Sequence, residues 1–191
     1  MRCLLDKVVA RYAVQGLLKL AEGRELTGDE LFTLDLLARA RLHDTRLFIA
    51  PTSANVVQRL AQMARYAGVI HYFESQVEVV QPARYFTRWA RRLRRRGFAA
   101  EDAAMLSLAT FGTDQERSII GTGLVATYDG PMIRHWFGQR SEIQDQLSVM
   151  QRDIPAPYSQ VILPQVLRPE QIVFDRPAAA PHRSDAPPQR E

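Results

Sequence analysis

Short apolar runs alternate with longer amphipathic stretches along most of the chain, and this alternation limits the fold more than any other feature. Arg2 to Leu5 is apolar and leads into a stretch where Val9, Tyr12, Ala13, Leu17 and Leu20 share a helical face. Leu47 to Ala50, Val77 to Val80, Gly123 to Thr127 and Gln160 to Leu163 are further β-like runs. Between them the sequence predicts helices. Thr27-Gly28-Asp29-Glu30 opens one that carries Leu31, Leu34, Leu37 and Ala38, and Ser53 opens another with Val56, Val57, Leu60 and Met63. A third spans Pro82 to Arg96, places Tyr85, Phe86, Trp89 and Leu93 on one face, and stops at Gly97. A short one runs from Ala99 through Ala109, and Asp129-Gly130-Pro131 starts another. Strands separated by helices at these intervals predict an α/β fold with three layers, α/β/α, around a central parallel sheet.

A chain of 191 residues suits one domain of ordinary size with a tail. The periodic pattern predicts a domain over residues 1–164 and a disordered Pro/Ala-rich tail over 165–191, in which Ile172-Val173-Phe174 could dock on the domain or on a partner. Cys3 is the sole cysteine, so no disulfide forms within the chain, and its apolar surroundings mark it as a core residue. No apolar run reaches the roughly 18–20 residues of a membrane span, which predicts a cytoplasmic protein without a membrane partner. The net charge of +4 favours anionic partners. His43, His71, His135 and His182 lack zinc-ligand spacing, and the chain has neither a glycine-rich phosphate loop nor Gly-x-Ser-x-Gly.

Three acids stand out because of their places in the pattern. Asp6 and Asp129 directly follow predicted strands, and Asp102 opens a predicted helix. The carboxyl ends of parallel strands form the crevice where such sheets bind ligands, so Asp6 and Asp129 belong on one edge, with Asp102 at its rim. Gathered carboxylates repel one another unless a cation balances them, and hard oxygen donors suit Mg²⁺ or Mn²⁺. Each acid also has an ordinary structural role open to it: Glu101 and Asp102 favour a helix N-terminus, and Asp129 before Gly130 suits a turn. A carboxylate placed directly after a core strand, as Asp6 is, costs stability unless paired or used.

The order of these residues resembles the PIN-domain family of metal-dependent ribonucleases. Leu4-Leu5-Asp6 is similar to the family's first strand and first acid. Ala100-Glu101-Asp102-Ala103 is similar to its acid-bearing helix start, and Leu124-Val125-Ala126-Thr127-Tyr128-Asp129 to its Thr-x-Asp after the fourth strand. The resemblance covers roughly Met1 to Pro164. It implies an endoribonuclease in which Asp6, Asp102 and Asp129 hold Mg²⁺ or Mn²⁺, and, for the toxins among its members, an antitoxin-like protein partner. The chain departs from the family in two places: Lys7 and Val8 replace small polar residues, and Asn55 stands where a glutamate is usual. Asn55 can lend an oxygen to a metal but brings no charge, and the Lys7 ammonium could pair with the acids in a metal's place. These departures motivate an alternative, a catalytically degraded module that binds RNA or a protein.

Arg84, Arg88, Arg91, Arg92, Arg94, Arg95 and Arg96 crowd one predicted helix. Arg88, Arg91, Arg92 and Arg95 are candidate RNA-binding residues, with Trp89 or Tyr85 as a stacking surface. A solvated helix face with its aromatics in the core explains the same pattern. The apolar helix from Leu31 to Ala38 is a candidate homodimer face.

Overall fold

The structure, a computed structural model, describes residues 1–61 and 66–174. Five strands form one wholly parallel sheet in the order β3-β2-β1-β6-β7: β1 Arg2–Leu5, β2 Arg46–Ile49, β3 Val77–Val79, β6 Leu124–Ala126 and β7 Gln165–Leu167. Apart from Arg2, Arg46, Glu78 and Gln165, their residues are apolar on both faces, as expected of a sheet covered on both sides. Cys3, Leu5, Leu47, Ile49, Leu124 and Ala126 face one core. Leu4, Phe48, Val125 and Val166 face the other. The first core is closed by α1 Lys7–Ala21, α2 Gly28–Leu42, α3 Pro51–Ala61 and α4 Ala67–Gln76. The second is closed by α5 Phe86–Arg95, α6 Ala100–Phe111, α7 Gly130–Gly138 and α8 Arg140–Arg152. The three layers and the parallel sheet are thus those the sequence pattern predicts.

The route of the chain matters for the site. From β1 it winds outward through β2 to β3, then crosses back to lay β6 against the free side of β1 and adds β7 beyond it. The direction of winding therefore reverses between β1 and β6. The helical layer changes at the same place, from α1–α4 to α5–α8.

Five local expectations need correction. The ordered domain runs past residue 164: β7 pairs with β6, and Ile172 and Phe174 are buried. Phe174 stacks on His43 and lies under the Arg39 guanidinium, while Arg39 donates to the Ile172 carbonyl, so this segment docks on the domain. The tail expected to be disordered lies, from residue 175 on, outside the described residues. Gln160 to Leu163 is not a strand. Pro164 has no N–H to give a ladder, and pairing starts one residue later, where Gln165 N donates to the Gly123 carbonyl at 2.9 Å.

The helix expected from Pro82 starts at Phe86, because Gln81–Pro82 forms a short antiparallel ribbon (β4) with Gly112–Thr113 (β5), and Tyr85 takes a left-handed conformation, φ 74°. Its end is as expected: Gly97, at φ 89°, lets the Phe98 amide reach back to the Leu93 carbonyl. In α2 the buried face is Glu30, Thr33, Leu36, Leu37 and Ala40, with Leu31 and Ala38 turned to solvent. Gly16 of α1 lets α2 approach closely, since a Cβ there would lie 3.0 Å from Leu34 Cδ1. The polar residues this buries are satisfied. Lys19 pairs with Glu30 at 2.7 Å, Glu30 and Thr27 cap each other, and the Thr33 hydroxyl donates to Tyr128 Oη. In α3, Val57 is buried and Val56 exposed; the Leu60 side chain and Met63 lie outside the described residues.

Candidate active site

In open parallel sheets ligands bind outside the strand carboxyl ends at the point where winding reverses. Here that point lies between β1 and β6, and Asp6 and Thr127 are the first residues beyond these two strands. Asp6 is the N-cap of α1: Oδ1 accepts from the Lys7 amide at 2.6 Å, and Oδ2 accepts from the Thr127 hydroxyl at 2.8 Å. Thr127 Oγ1 in turn accepts from the Asp129 amide at 3.0 Å. Asp129 caps α7 by accepting from the Met132 amide at 2.8 Å. One hydroxyl therefore fixes the relative placement of two acids that are far apart in sequence.

Asp102 enters from α6, in its first turn. Burial raises its carboxyl pKa, and the charges of Asp129, Asp6 and Glu101 raise it further, with Lys7 working in the opposite direction. Burial likewise raises the Asp6 carboxyl. The Thr127 hydroxyl, the Lys7 amide and the Lys7 charge offset this in part, and Asp129 adds to it. The three aspartates thus share one electrostatic neighbourhood, in which the ionised forms of Asp6 and Asp102 are disfavoured. They are not drawn into a closed ligand set, for among the described residues no three His, Cys, Asp or Glu side chains gather closely enough to hold a metal ion. Their chemistry fits a hard cation: oxygen donors only, with negative charge that local partners leave incompletely balanced.

Two residues noted for departing from the family pattern have distinct fates. The Lys7 ammonium forms an ion pair with Glu101, tying the start of α1 to the start of α6 across the mouth of the acid group. The Glu101 bond raises the Lys7 pKa first and foremost, and the charges of Asp6 and Asp102 contribute. Lys7 is therefore a resident counter-cation. Replacing it with Gln should strengthen Mn²⁺ binding about three- to tenfold, the scale expected of one unit charge at several ångströms in a half-exposed site. Unchanged or weaker binding in a calorimetric titration would remove Lys7 from the site's charge balance. Asn55 lies exposed on α3, and no contact ties it to the three aspartates.

The arginine-rich α5 resolves into two faces. Trp89 and Leu93 are fully buried, with Trp89 edge-on to Phe111, so Trp89 is a core residue and offers no stacking surface. Tyr85 is half-buried between Phe111 and Tyr158. Arg88, Arg91 and Arg95 are exposed and have no carboxylate partner among the described residues. Arg92 is half-buried and lines one surface pocket with Glu142 and Asp145 of α8, and Arg96 pairs with Glu142. The last turn of α5 leads through Gly97 into α6, which brings Arg95 to the same end of the fold as Asp102.

Comparison with family models, curated proteins and solved structures gives no match to the chain. No helix among the described residues is long and apolar enough to cross a membrane.

Proposed function

We propose that the protein is a PIN-like, metal-dependent endoribonuclease whose acid site is Asp6, Asp102 and Asp129, with Arg88, Arg91 and Arg95 contributing to RNA binding. The observation that carries this reading is the position of Asp6: a carboxylate with a raised pKa, fixed by Thr127 where the sheet's winding reverses and sharing its field with Asp102 and Asp129. Asp6, Asp102 and Asp129 would hold Mg²⁺ or Mn²⁺, which when bound activates water and offsets charge on the scissile phosphodiester. Thr127 orients Asp6 and Asp129, and the exposed arginines hold the backbone by its phosphates. The deciding experiment is cleavage of single-stranded RNA by purified protein with Mn²⁺ and with chelator. Metal-dependent cleavage that disappears in Asp102→Asn supports the reading; full activity in that variant removes Asp102 from the site.

The RNA contacts have their own test. Arg88→Ala and Arg91→Ala should each weaken binding of unrelated RNA sequences to the same degree, and each should lower the slope of log K against log salt by about 0.7. An unchanged slope would return α5 to the status of a solvated face.

A second reading, a degraded module that binds RNA or a protein, is favoured by the Lys7–Glu101 pair and by the absence of a carboxylate at Asn55. It predicts RNA or protein binding without cleavage at any Mn²⁺ concentration.

A further inference from the structure

Leu5, Ala126 and Leu167 stand side by side in β1, β6 and β7. The ladder continues one step further, since the Asp6 amide donates to the Ala126 carbonyl and the Thr127 amide to the Leu167 carbonyl, both at 2.9 Å. Asp6, Thr127 and Arg168 therefore form one row just beyond the sheet: an acid, a hydroxyl and a guanidinium. Successive residues of a strand face opposite sides. Leu5, Ala126 and Leu167 pack on the α1–α4 side, so the next row turns toward the side where α6 and α7 begin.

Arg134, in the second turn of α7, reaches back to the end of this row. A Cβ on Gly130 would lie 3.3 Å from Arg134 Nη1 and 3.8 Å from Arg168 Nη2, so two guanidinium groups from different elements converge over a residue that has no side chain. Gly130 directly follows Asp129. Neither arginine is ion-paired with Asp129. Arg134 has no carboxylate partner among the described residues, and Arg168 meets Glu170 at 3.7 Å, beyond hydrogen-bonding distance.

We infer that Arg134 and Arg168 form a phosphodiester clamp beside the acid row, holding an RNA backbone phosphate next to the one that meets Asp6, Asp102 and Asp129. This rests on the RNA reading given above. Two like charges held together against the single, longer Arg168–Glu170 contact favour an anion between them, and the planar guanidinium fork matches phosphate oxygens in pairs. Arg168 lies two interstrand spacings from Asp6, about 10 Å. The clamp is thus close enough to share one strand of RNA with the acids and far enough to leave them uncovered.

The test is fluorescence anisotropy of a labelled single-stranded RNA with the full chain, over a salt series. Arg134→Ala and Arg168→Ala should each weaken binding about tenfold and lower the salt slope by about 0.7. Arg168→Lys should keep the slope while losing part of the affinity, because the charge stays and the fork does not. Arg152→Ala, at the end of α8, serves as the charge-matched control. Binding and slopes of Arg134→Ala and Arg168→Ala that equal the wild type's, in a wild type that does bind, overturn the clamp and leave the RNA reading standing. A wild type without salt-dependent RNA binding overturns both, and does so before any variant is made.

Discussion

Asp6→Asn should abolish Mn²⁺ binding and reduce RNA cleavage by well over a hundredfold, while the protein melts no lower than wild type at pH 7. The loss follows from position. Changes to residues that merely orient a metal's ligands typically cost about 10–100-fold, and Asp6 is proposed as a ligand itself. The unimpaired stability follows from its pKa. Burial raises the Asp6 carboxyl above its ordinary value, so the ionised form costs folding energy above that raised pKa, and the cost fades as pH falls through it. Asn carries no charge, still caps a helix well, and can accept from either the Lys7 amide or the Thr127 hydroxyl. Calorimetry with Mn²⁺, a cleavage assay and a thermal melt on one preparation check all three expectations. Lost cleavage together with a large drop in melting temperature would mean that Asp6 is a structural cap rather than a ligand.

The second large effect lies at the amino-terminal side of the sheet. Asp114 is only 2% exposed and accepts from Arg46 Nη2 at 2.9 Å, from the Ser118 amide at 2.7 Å and from the Ser118 hydroxyl, with a longer contact to the Ile119 amide. Arg46 also holds Glu78 of β3 through two hydrogen bonds, so one guanidinium joins β2, β3 and the loop after β5. Burial pushes the Asp114 carboxyl up, but the Ser118 hydroxyl, Arg46 and the two amides outweigh it and bring the pKa down to about 2. Asp114→Ala leaves these donors facing a cavity and should cost about 3 kcal/mol, or roughly 10 °C in melting temperature for a chain of this size.

The pH dependence has a definite sign. A carboxyl lowered on folding stabilises above its unfolded pKa, near 4, and loses that contribution as pH falls toward 2. The difference between wild type and Asp114→Ala should therefore be constant from pH 7 to about 4.5 and shrink below that. A gap that is already small at pH 7 would show the knot to be a surface contact with little energetic value.

Much of the fold was legible because burial writes itself into local pattern. Leu4-Leu5, Leu47-Phe48-Ile49 and Leu124-Val125-Ala126 are apolar on both faces, and strands covered on both sides require that. Asp6 and Asp129 could be placed from sequence for the same reason, since each is the first or third residue past such a run. β7 was not legible: Gln165-Val166-Leu167 is too short to show a period, and its role as an edge strand comes from pairing with β6. The inner face of α2 was misread because it carries Glu30 and Thr33, polar residues that only their partners on α1 and in the β6–α7 loop make tolerable inside. The role of Asp114 depends in a similar way on distant pairing, since its ion-pair partner Arg46 stands 68 residues earlier. A signal did exist in Arg46 and Glu78, charged residues set into two otherwise apolar strand runs. Arg134 and Arg168 carried no signal at all; they become a pair only once β7 lies beside β6.

The hydrogen bond between Thr127 and Asp6 closes a span of 121 residues. β1, β2 and β3 with α1 to α4 can be synthesised in full while Asp6 still faces water on an open sheet edge, because β6 and the residues beyond it do not yet exist. Loop closures of that length are slow compared with local helix and strand pairing. The acid group is thus among the last parts of the molecule to take shape, and a nascent chain, however well folded in its first half, does not yet hold it.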